Sequence, residues 1–242
     1  MNQVQEILDR LEKEAENVGL ICNAKKTEMQ CFNQEGPVPL KAKSGEAIKE
    51  VENFKYLGSW TESSSKDIKV RKALAWSAGQ KLTKVWKSKL PRSLKIRLFV
   101  ATVESVLLYG SETWTMTKAL TKEINGTYTR MLRMALDVSW KERKTNLELY
   151  RNLPLVSEKI RERRMRLAGH CMRHGDEIAE KLVLWSSNDG KRSRGRPAIT
   201  YIDNLLDDTG LDNIEELQMV MQDRQSWSQH VTNAGRPEGP PR

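Results

Sequence analysis

The residues with the clearest chemical potential form a regularly spaced basic pattern. It consists of Lys159, Arg163, Arg166, His170 and Arg173, at spacings of 4, 3, 4 and 3. On a helix that turns about 100° per residue, all five fall within roughly 40° of one line, and none of these positions is acidic. The opposite side carries Ile160, Leu167, Ala168, Cys171 and Met172. Such a helix can pack on its apolar face and contact phosphates with the other, although a solvated basic face is the alternative.

A second basic segment, residues 190–197, reads GKRSRGRP and contains Lys191, Arg192, Arg194 and Arg196. Its glycines predict an exposed linker, which we place at residues 186–197. The segment is either a flexible connector that binds phosphates or an AT-hook. In an AT-hook the Arg-Gly-Arg core enters a narrow minor groove, where the negative potential is enhanced.

A zinc site at His170, Cys171 and His174 is the other chemistry to consider. Structural zinc sites normally have four nitrogen or sulfur ligands, and no second pair of ligands lies nearby in the sequence. The sequence therefore predicts no metal site.

The charge of the chain is concentrated in its middle. Residues 70–200 contain 28 Lys and Arg but 12 Asp and Glu, whereas residues 1–69 contain 10 and 12, and residues 201–242 contain 3 and 8. A concentrated basic region is the electrostatic footprint of a protein that binds a phosphate backbone, and a basic surface without a ligand is the alternative.

The composition also excludes some classes of protein. The 242 residues allow one large domain or two small ones. No apolar run reaches the ~20 residues that span a bilayer, and the acidic, amphipathic amino terminus is not typical of a signal peptide. The three cysteines are scattered, so we expect an intracellular protein with reduced thiols, nuclear or cytoplasmic, and no contact with a membrane.

The elements that must position these residues follow from hydrophobic periodicity. We predict a helix over 2–18, whose acids face solvent and which stops at Gly19, and strands over 27–33, 47–51 and 54–60. Helices follow from residue 66, with one face formed by Val70, Leu74, Leu82, Val85 and Trp86. Further helices cover 93–110, 118–136, 157–174 and 213–231. The fold class is therefore α+β, mainly α.

Two short segments near the amino terminus carry a different signal. Residues 23–27 (NAKKT) predict a turn in which the Asn23 side chain bonds to the backbone and Lys26 is exposed. In the strand Phe54, Lys55, Tyr56, Leu57, Gly58, alternation places Phe54 and Tyr56 on one face, and Gly58 permits close approach of another backbone. The alternatives are an ordinary surface turn and a half-buried edge strand.

The order of these segments resembles the reverse transcriptases of LINE-type (non-LTR) retrotransposons. Further likenesses are residues 107–114 (LLYGSETW), which are similar to a segment of the thumb of these enzymes, and residues 161–174 with the 190–197 segment. We expect Tyr109 and Trp114 to serve as core packing, because large aromatic side chains usually supply buried area.

The resemblance implies a domain order and roles for individual residues. Residues 1–65 would be the end of the palm with a β-hairpin, 66–140 a helical thumb, 141–232 a basic helical region, and 233–242 a disordered tail. Lys26 would lie near the phosphates of the incoming nucleotide, and Phe54–Gly58 would be the primer grip. The partner would be an RNA–DNA hybrid or duplex DNA, and the oligomeric state stays open.

The sequence departs from the family in one respect that bears on activity. The acidic Tyr-x-Asp-Asp turn expected upstream of Gly19 is not found, and polymerisation needs carboxylates that hold two Mg²⁺ ions. We therefore expect a fragment with no cofactor of its own, which binds nucleic acid without extending it; Mg²⁺ would belong to the missing part. The alternatives are a transposon-derived DNA-binding protein with the AT-hook-like segment, an inert relic, or a helical module that binds an acidic protein.

Overall fold

The computed structural model describes residues 2–31, 39–60, 63–186 and 199–234. It is 64% helical, and its described strands form two sheets of two strands each, which confirms the α+β, mainly α prediction. The chain divides into two compact units, Met1–Ser63 and Ser64–Arg242, which we call the amino-terminal and carboxyl-terminal units. The predicted division of the second unit at residue 140 stays a prediction.

The amino-terminal unit combines one helix with very short strands. Helix α1 spans Asn2–Asn17. Gly19, two residues further on, has a φ of 77°, which confirms that this glycine stops the helix. Strand β1 (Glu28–Met29) pairs in parallel with β2 (Lys49–Glu50), and β3 (Lys55–Tyr56) pairs antiparallel with β4 (Ser59–Trp60). A small apolar cluster lies inside the unit and consists of Ala24, Leu40, Ala42 and Ile48.

Helix α1 contacts its own unit through Leu8, which packs against this apolar cluster, and through polar side chains. Gln5 bonds to both the N–H and the carbonyl of Lys41, and the buried Glu12 carboxylate, 6% exposed, accepts from the Lys43 N–H at 2.8 Å. The prediction that all these amino-terminal acids face solvent was therefore wrong, because Glu12 satisfies a backbone donor. The apolar stripe of α1 lies on the exposed surface instead and includes Val4, Ile7, Leu11 and Val18.

The predicted strand over 54–60 is a hairpin. Leu57 and Gly58 have φ values of 47° and 91°, and two consecutive positive φ angles are typical of the tight turns that join antiparallel strands. The alternation predicted for Phe54 and Tyr56 therefore stops at the turn, with Tyr56 exposed and Phe54 half-buried. The strands predicted over 27–33 and 47–51 are likewise only two residues long in the described part of the chain.

The carboxyl-terminal unit is entirely helical in its described residues. The longer helices are α2 (Ser64–Lys81), α4 (Arg92–Phe99), α6 (Lys118–Ala135), α8 (Val156–Arg173), α10 (Tyr201–Thr209), α11 (Ile214–Gln222) and α12 (Arg224–Ala234). The shorter ones are α3 (Thr83–Trp86), α5 (Ser105–Leu107), α7 (Asn146–Tyr150) and α9 (Glu177–Val183). A π-helical turn, Val100–Glu104, joins α4 to α5, and two 3-10 turns cover Ser111–Thr113 and Trp140–Glu142.

Most long helices agree with those predicted from the hydrophobic periodicity, but one predicted helix is divided in two. Helices α6 and α8 match the predicted 118–136 and 157–174. The predicted helix over 213–231 is divided at Asp223, whose backbone is extended and whose carboxylate accepts from the N–H groups of Gln225 and Ser226. Asp223 therefore acts as the amino-terminal cap of α12.

Two apolar cores share helix α8. Val156 and Ile160 belong to the first core, together with buried residues of α2, α4 and α6. Met165, Ala168 and Met172 belong to the second, which α10, α11 and α12 complete. Helix α8 is thus packed along its whole length, which leaves one face for solvent.

The inward face of α2 was predicted wrongly. Leu74 is 46% exposed, whereas the charged pair Asp67 and Arg71 is buried. The indole Nε1 of Trp114 donates to the Asp67 carboxylate at 2.8 Å, and the Arg71 Nε lies 3.8 Å from the same carboxylate. Trp114 is buried as predicted, but Tyr109 is 49% exposed and lies beneath the Arg71 guanidinium at 4.3 Å.

Some predictions fall on other parts of the chain. The linker 186–197 and the tail 233–242 lie almost wholly outside the described residues. Among the described residues, no helix combines the length and the apolar character needed to cross a membrane.

Candidate nucleic-acid interface

The outer face of α8 presents most of the predicted basic stripe. The helix starts where the Glu158 carboxylate accepts from the Leu155 N–H at 2.9 Å. Arg163, Arg166, His170 and Arg173 are then exposed, and Lys159 is half-buried. Of the opposite residues, Ile160, Ala168, Cys171 and Met172 pack into the two cores and Leu167 is half-buried, so the predicted orientation of the helix is confirmed.

Lys159 is engaged by a buried carboxylate. Its Nζ lies 2.6 Å from Oε2 of Glu104, which is the last residue of the π-helical turn and is buried. The Tyr128 hydroxyl donates to the same oxygen at 2.5 Å, and burial raises the pKa of Tyr128, which keeps the phenol protonated. None of the positions of the stripe is acidic, as the sequence indicates, but Glu104 reaches Lys159 from a different element and neutralises part of its charge.

Two arginines of the stripe also bind carbonyl groups of neighbouring segments. Arg163 donates from Nη1 to the carbonyl of Leu108 at 2.8 Å, and Arg173 donates from Nη1 to the carbonyl of Met221 at 2.7 Å. A guanidinium has five N–H donors in a planar fork, so each side chain can hold the fold and still offer donors to solvent.

Arg166 is a highly accessible cation of the stripe. Its side chain is 69% exposed and pairs with Glu162, one turn earlier, at 2.5 Å. An exposed pair of this kind contributes only about 0–1 kcal/mol to stability, so a phosphate can replace Glu162 as the partner at little cost.

The stripe lines two grooves that meet at Arg166. The first has a volume of about 290 Å³ and is lined by Glu104, Pro154, Lys159, Glu162, Arg163 and Arg166. The second, about 230 Å³, has Arg166, Arg173, Arg224 and Trp227 among its lining residues. We call the surface formed by Lys159, Arg163, Arg166, Arg173 and Arg224 the basic groove.

Arg224 is the residue that the sequence reasoning missed, and Gly169 explains its position. Trp227 of α12 packs against α8 and donates from its indole Nε1 to the Met165 carbonyl at 2.8 Å. A Cβ on Gly169 would lie 2.2 Å from that nitrogen, so only glycine permits this packing. A glycine inside a strongly helical pattern was the available signal of a close approach.

A buried polar cluster holds α8 in register with its neighbours. Arg164, on the inner side, forms a salt bridge with Asp208 at 2.6 Å and donates to the Trp114 carbonyl at 3.1 Å. Asn204 bonds to both the N–H and the carbonyl of Met116. Burial raises the pKa of Asp208, and the nearby Arg164 and Arg161 oppose that shift.

No metal centre accompanies the groove within the described ranges. The rings of His170 and His174 are 5.2 Å apart, but no three His, Cys, Asp or Glu side chains of these ranges form a group that could hold a metal ion. The residues described here therefore do not fit the magnesium pair of a polymerase.

The remaining predicted site residues lie in the amino-terminal unit. Lys26 is exposed at a turn where its N–H donates to the Asn23 side chain at 3.2 Å, which confirms the predicted role of Asn23. The hairpin residues Lys55, Tyr56 and Leu57 are exposed as well. The predicted site is thus divided between the two units, each of which is described by itself.

Comparison with known proteins gives one informative similarity. An uncharacterised transposon-derived protein of Caenorhabditis elegans is 25% identical over 244 residues, which cover 93% of this chain and 88% of the relative. This similarity supports a transposon origin. No family model and no solved structure matches the chain.

The second basic segment falls on residues that the structure does not describe. Lys191, Arg192, Arg194 and Arg196 lie outside the described residues, so both the connector and the AT-hook interpretation stay predictions.

Proposed function

We propose that this chain is a transposon-derived nucleic-acid-binding protein, related to LINE-type reverse transcriptases, that holds duplex DNA or an RNA–DNA hybrid by its phosphates. The basic groove of α8 is the observation that carries this proposal. It combines exposed guanidinium groups on a helix that two cores hold in place.

The charge of the unit that carries the groove favours a polyanionic partner. Residues 64–242 contain 33 Lys and Arg against 21 Asp and Glu, whereas residues 1–63 contain 8 and 11. Guanidinium groups bind phosphate through two parallel hydrogen bonds, which favours arginine over lysine for this role. Arg166 and Arg224 have this geometry available at the surface.

The length of the stripe suits a nucleic-acid backbone. From Lys159 to Arg173 a helix rises about 21 Å. Successive phosphates of one DNA strand advance about 3.4 Å along the helix axis, so the stripe can contact several of them at once. These contacts are independent of base identity and position the protein without specifying a sequence.

The resemblance supplies the finer part of the proposal. Lys26 would face nucleotide phosphates and Phe54–Gly58 would contact the primer strand, as their counterparts do in reverse transcriptases. We propose binding without polymerisation. A primer-extension assay with Mg²⁺ or Mn²⁺ tests this, and templated synthesis by the purified chain would contradict it.

A binding titration tests the groove directly. Fluorescence anisotropy of a labelled duplex and a matched RNA–DNA hybrid should show that Arg166→Gln with Arg224→Gln weakens binding by about a hundredfold or more. Each hydrogen bond to a charged group contributes about 1.5 kcal/mol or more, and the double variant removes at least two of them. Arg163 and Arg173 are less suitable because they also bind backbone carbonyls.

The control removes the same charge elsewhere in the carboxyl-terminal unit. Lys84→Gln with Lys181→Gln changes two exposed lysines outside the groove and should weaken binding much less. Equal losses in the two double variants would show that the overall charge, and not the groove, binds the nucleic acid.

A further inference from the structure

A loop between α6 and α7 presents an unusually exposed tryptophan. Trp140 is 83% exposed, whereas Trp86, Trp114 and Trp227 are almost completely buried. We propose that this loop, residues 137–145, is a second nucleic-acid site that stacks an unpaired base of a single strand on the Trp140 indole. It goes beyond the basic groove, because its ligand is a base and not a duplex backbone.

The loop is fixed where it leaves α6. The Asp137 N–H donates to the Met134 carbonyl at 3.1 Å, and the Val138 N–H donates to the Arg133 carbonyl at 3.0 Å. Asp137 has a φ of 54°, as in many helix ends closed by a left-handed residue. Val138 then packs against the first core, so the backbone entering the 3-10 turn is anchored.

The turn that carries the indole is closed by its own side chains. The Ser139 N–H donates to the Glu142 carboxylate at 2.8 Å, and the Lys141 N–H donates to the Ser139 hydroxyl at 3.3 Å. Glu142 also pairs with Lys144 at 2.5 Å. The hydrogen bonds from Lys144 and the Ser139 N–H hold the pKa of Glu142 below its usual range, which keeps this carboxylate charged.

The loop is also fixed at its other end, where it enters α7. Arg133 donates from Nη2 to the Lys144 carbonyl at 2.8 Å and to the Asn146 side chain at 3.0 Å. Thr145 caps α7 by accepting from the Glu148 N–H at 3.3 Å. A binding surface that is already ordered loses little conformational entropy when a ligand binds, so this loop is a preorganised platform.

Cations surround the platform. Lys141, Arg143 and Lys144 are all exposed, and the Lys141 ammonium lies 6.0 Å from the centroid of the Trp140 ring. The acids that face them, Glu142 and Glu148, accept hydrogen bonds from the loop itself. An aromatic face between exposed cations is the arrangement by which proteins bind single-stranded nucleic acid, with bases stacked and phosphates neutralised.

The test compares a strand that has bases with a strand that lacks them. The full chain is titrated with an oligothymidylate of about 12 nucleotides and with an abasic oligonucleotide of equal length and charge. Trp140→Ala should weaken oligothymidylate binding about 5- to 150-fold, the range expected for one stacked base. Affinity for the abasic strand should not change, and Trp140→Phe should retain most of the affinity.

A matched control uses another exposed indole. Trp185 is 57% exposed and lies outside the loop, so Trp185→Ala should leave oligothymidylate binding unchanged. Equal weakening on both strands, an equal effect of Trp185→Ala, or no binding of oligothymidylate would each overturn the proposal. If Trp140 serves only a protein partner, Trp140→Ala would leave oligothymidylate binding unchanged, and this result would also overturn the proposal.

Duplex binding by the basic groove and single-strand binding by the Trp140 loop can be disproved independently of each other. Trp140→Ala should not alter duplex affinity, because the bases of a duplex are not available to stack on the indole. If the Arg166 and Arg224 double variant binds a duplex as wild type does while Trp140 still determines oligothymidylate binding, only the groove proposal falls.

Discussion

The two units bury apolar surface in very different ways. In the amino-terminal unit the buried apolar cluster is formed by small or medium side chains. Helix α1 packs Leu8 against it, while Ile7, 67% exposed, faces outward. In the carboxyl-terminal unit, two extensive cores enclose large side chains such as Trp86, Phe99 and Tyr128. Because apolar burial is the main favourable term in folding, stability must be concentrated in the second unit.

The same difference separates the two sets of predicted site residues. Lys26 and the hairpin of Phe54–Gly58 rest on two-residue strands, whereas the basic groove rests on a helix packed on two cores. A rigid support holds side chains in one geometry, so the groove is the better preorganised of the two.

The largest expected effect comes from separating the units. Residues 64–242 produced alone should unfold cooperatively with most of the stability of the full chain, about 5–15 kcal/mol for a typical domain. Residues 1–63 alone should show no cooperative transition, because so short a chain buries too little apolar surface. Thermal unfolding followed by circular dichroism measures both, and a sharp transition in residues 1–63 would break the comparison.

Next comes the buried cluster beneath the groove. Arg164→Ala should lower the free energy of unfolding by about 3 kcal/mol or more, because Asp208 would stay buried with only Arg161 as its charged partner. Arg166→Ala, two residues along the same helix, should lower it by about 0–1 kcal/mol. Urea unfolding measures the two values, and similar values would mean that burial does not distinguish these arginines.

A smaller effect is expected at the contact between α8 and α12. Gly169→Ala should destabilise the carboxyl-terminal unit by about 1–3 kcal/mol, because the new Cβ would overlap Trp227. Gly126→Ala is the matched control, since nothing lies within 4 Å of a Cβ at that helical position. It should stabilise the unit by about 0.5–1 kcal/mol. The prediction fails if both substitutions shift the melting temperature in the same direction.

In the amino-terminal unit the corresponding glycine effect is conformational. Gly19 has a φ of 77° and an open environment, so Gly19→Ala should destabilise the end of α1 by about 1–2 kcal/mol through backbone strain alone. Hydrogen exchange should show faster opening of α1 and no change in α8. Faster exchange in both helices would mean that the two units do not open independently.

The smallest expected effect is a loss of stability of α12 at low pH. Hydrogen bonds from the Ser226 hydroxyl and from backbone N–H groups lower the pKa of Asp223. This contribution to stability is therefore present above the ordinary Asp pKa of about 3.9 and is lost as pH falls through the lower folded value. Protection of α12 should decline only in strong acid, and Asp223→Asn, which still caps a helix, should remove that dependence. If protection of α12 still declines in strong acid in this variant, a group other than Asp223 causes the decline.

The sequence predicted the helices best where apolar spacing was regular. The inner faces of α6 and α8 followed from residues such as Ile124, Met131 and Ala168, which are buried. The face of α2 could not be found in this way, because its buried side includes Asp67 and Arg71, whose mutual compensation depends on distant Trp114.

The candidate site was predictable only as a line of charges. The stripe on α8 follows from helical spacing, and so does the pairing of Glu162 with Arg166. The pairing of Glu104 with Lys159 depends on the tertiary fold. Glu104 comes from a π-helical turn, and Arg224 is placed by the fit of Trp227 on Gly169. The exposure of Trp140 is likewise a property of the folded loop and not of its sequence.

The salt dependence of duplex binding tests the central claim most directly. For the full chain, the logarithm of the association constant should fall linearly with the logarithm of the salt concentration. Arg166→Gln with Arg224→Gln should make that slope less steep by about 1.8, which corresponds to about 0.9 for each lost phosphate contact. A slope equal to that of the wild-type chain would contradict the assignment of the basic groove as the phosphate-binding surface.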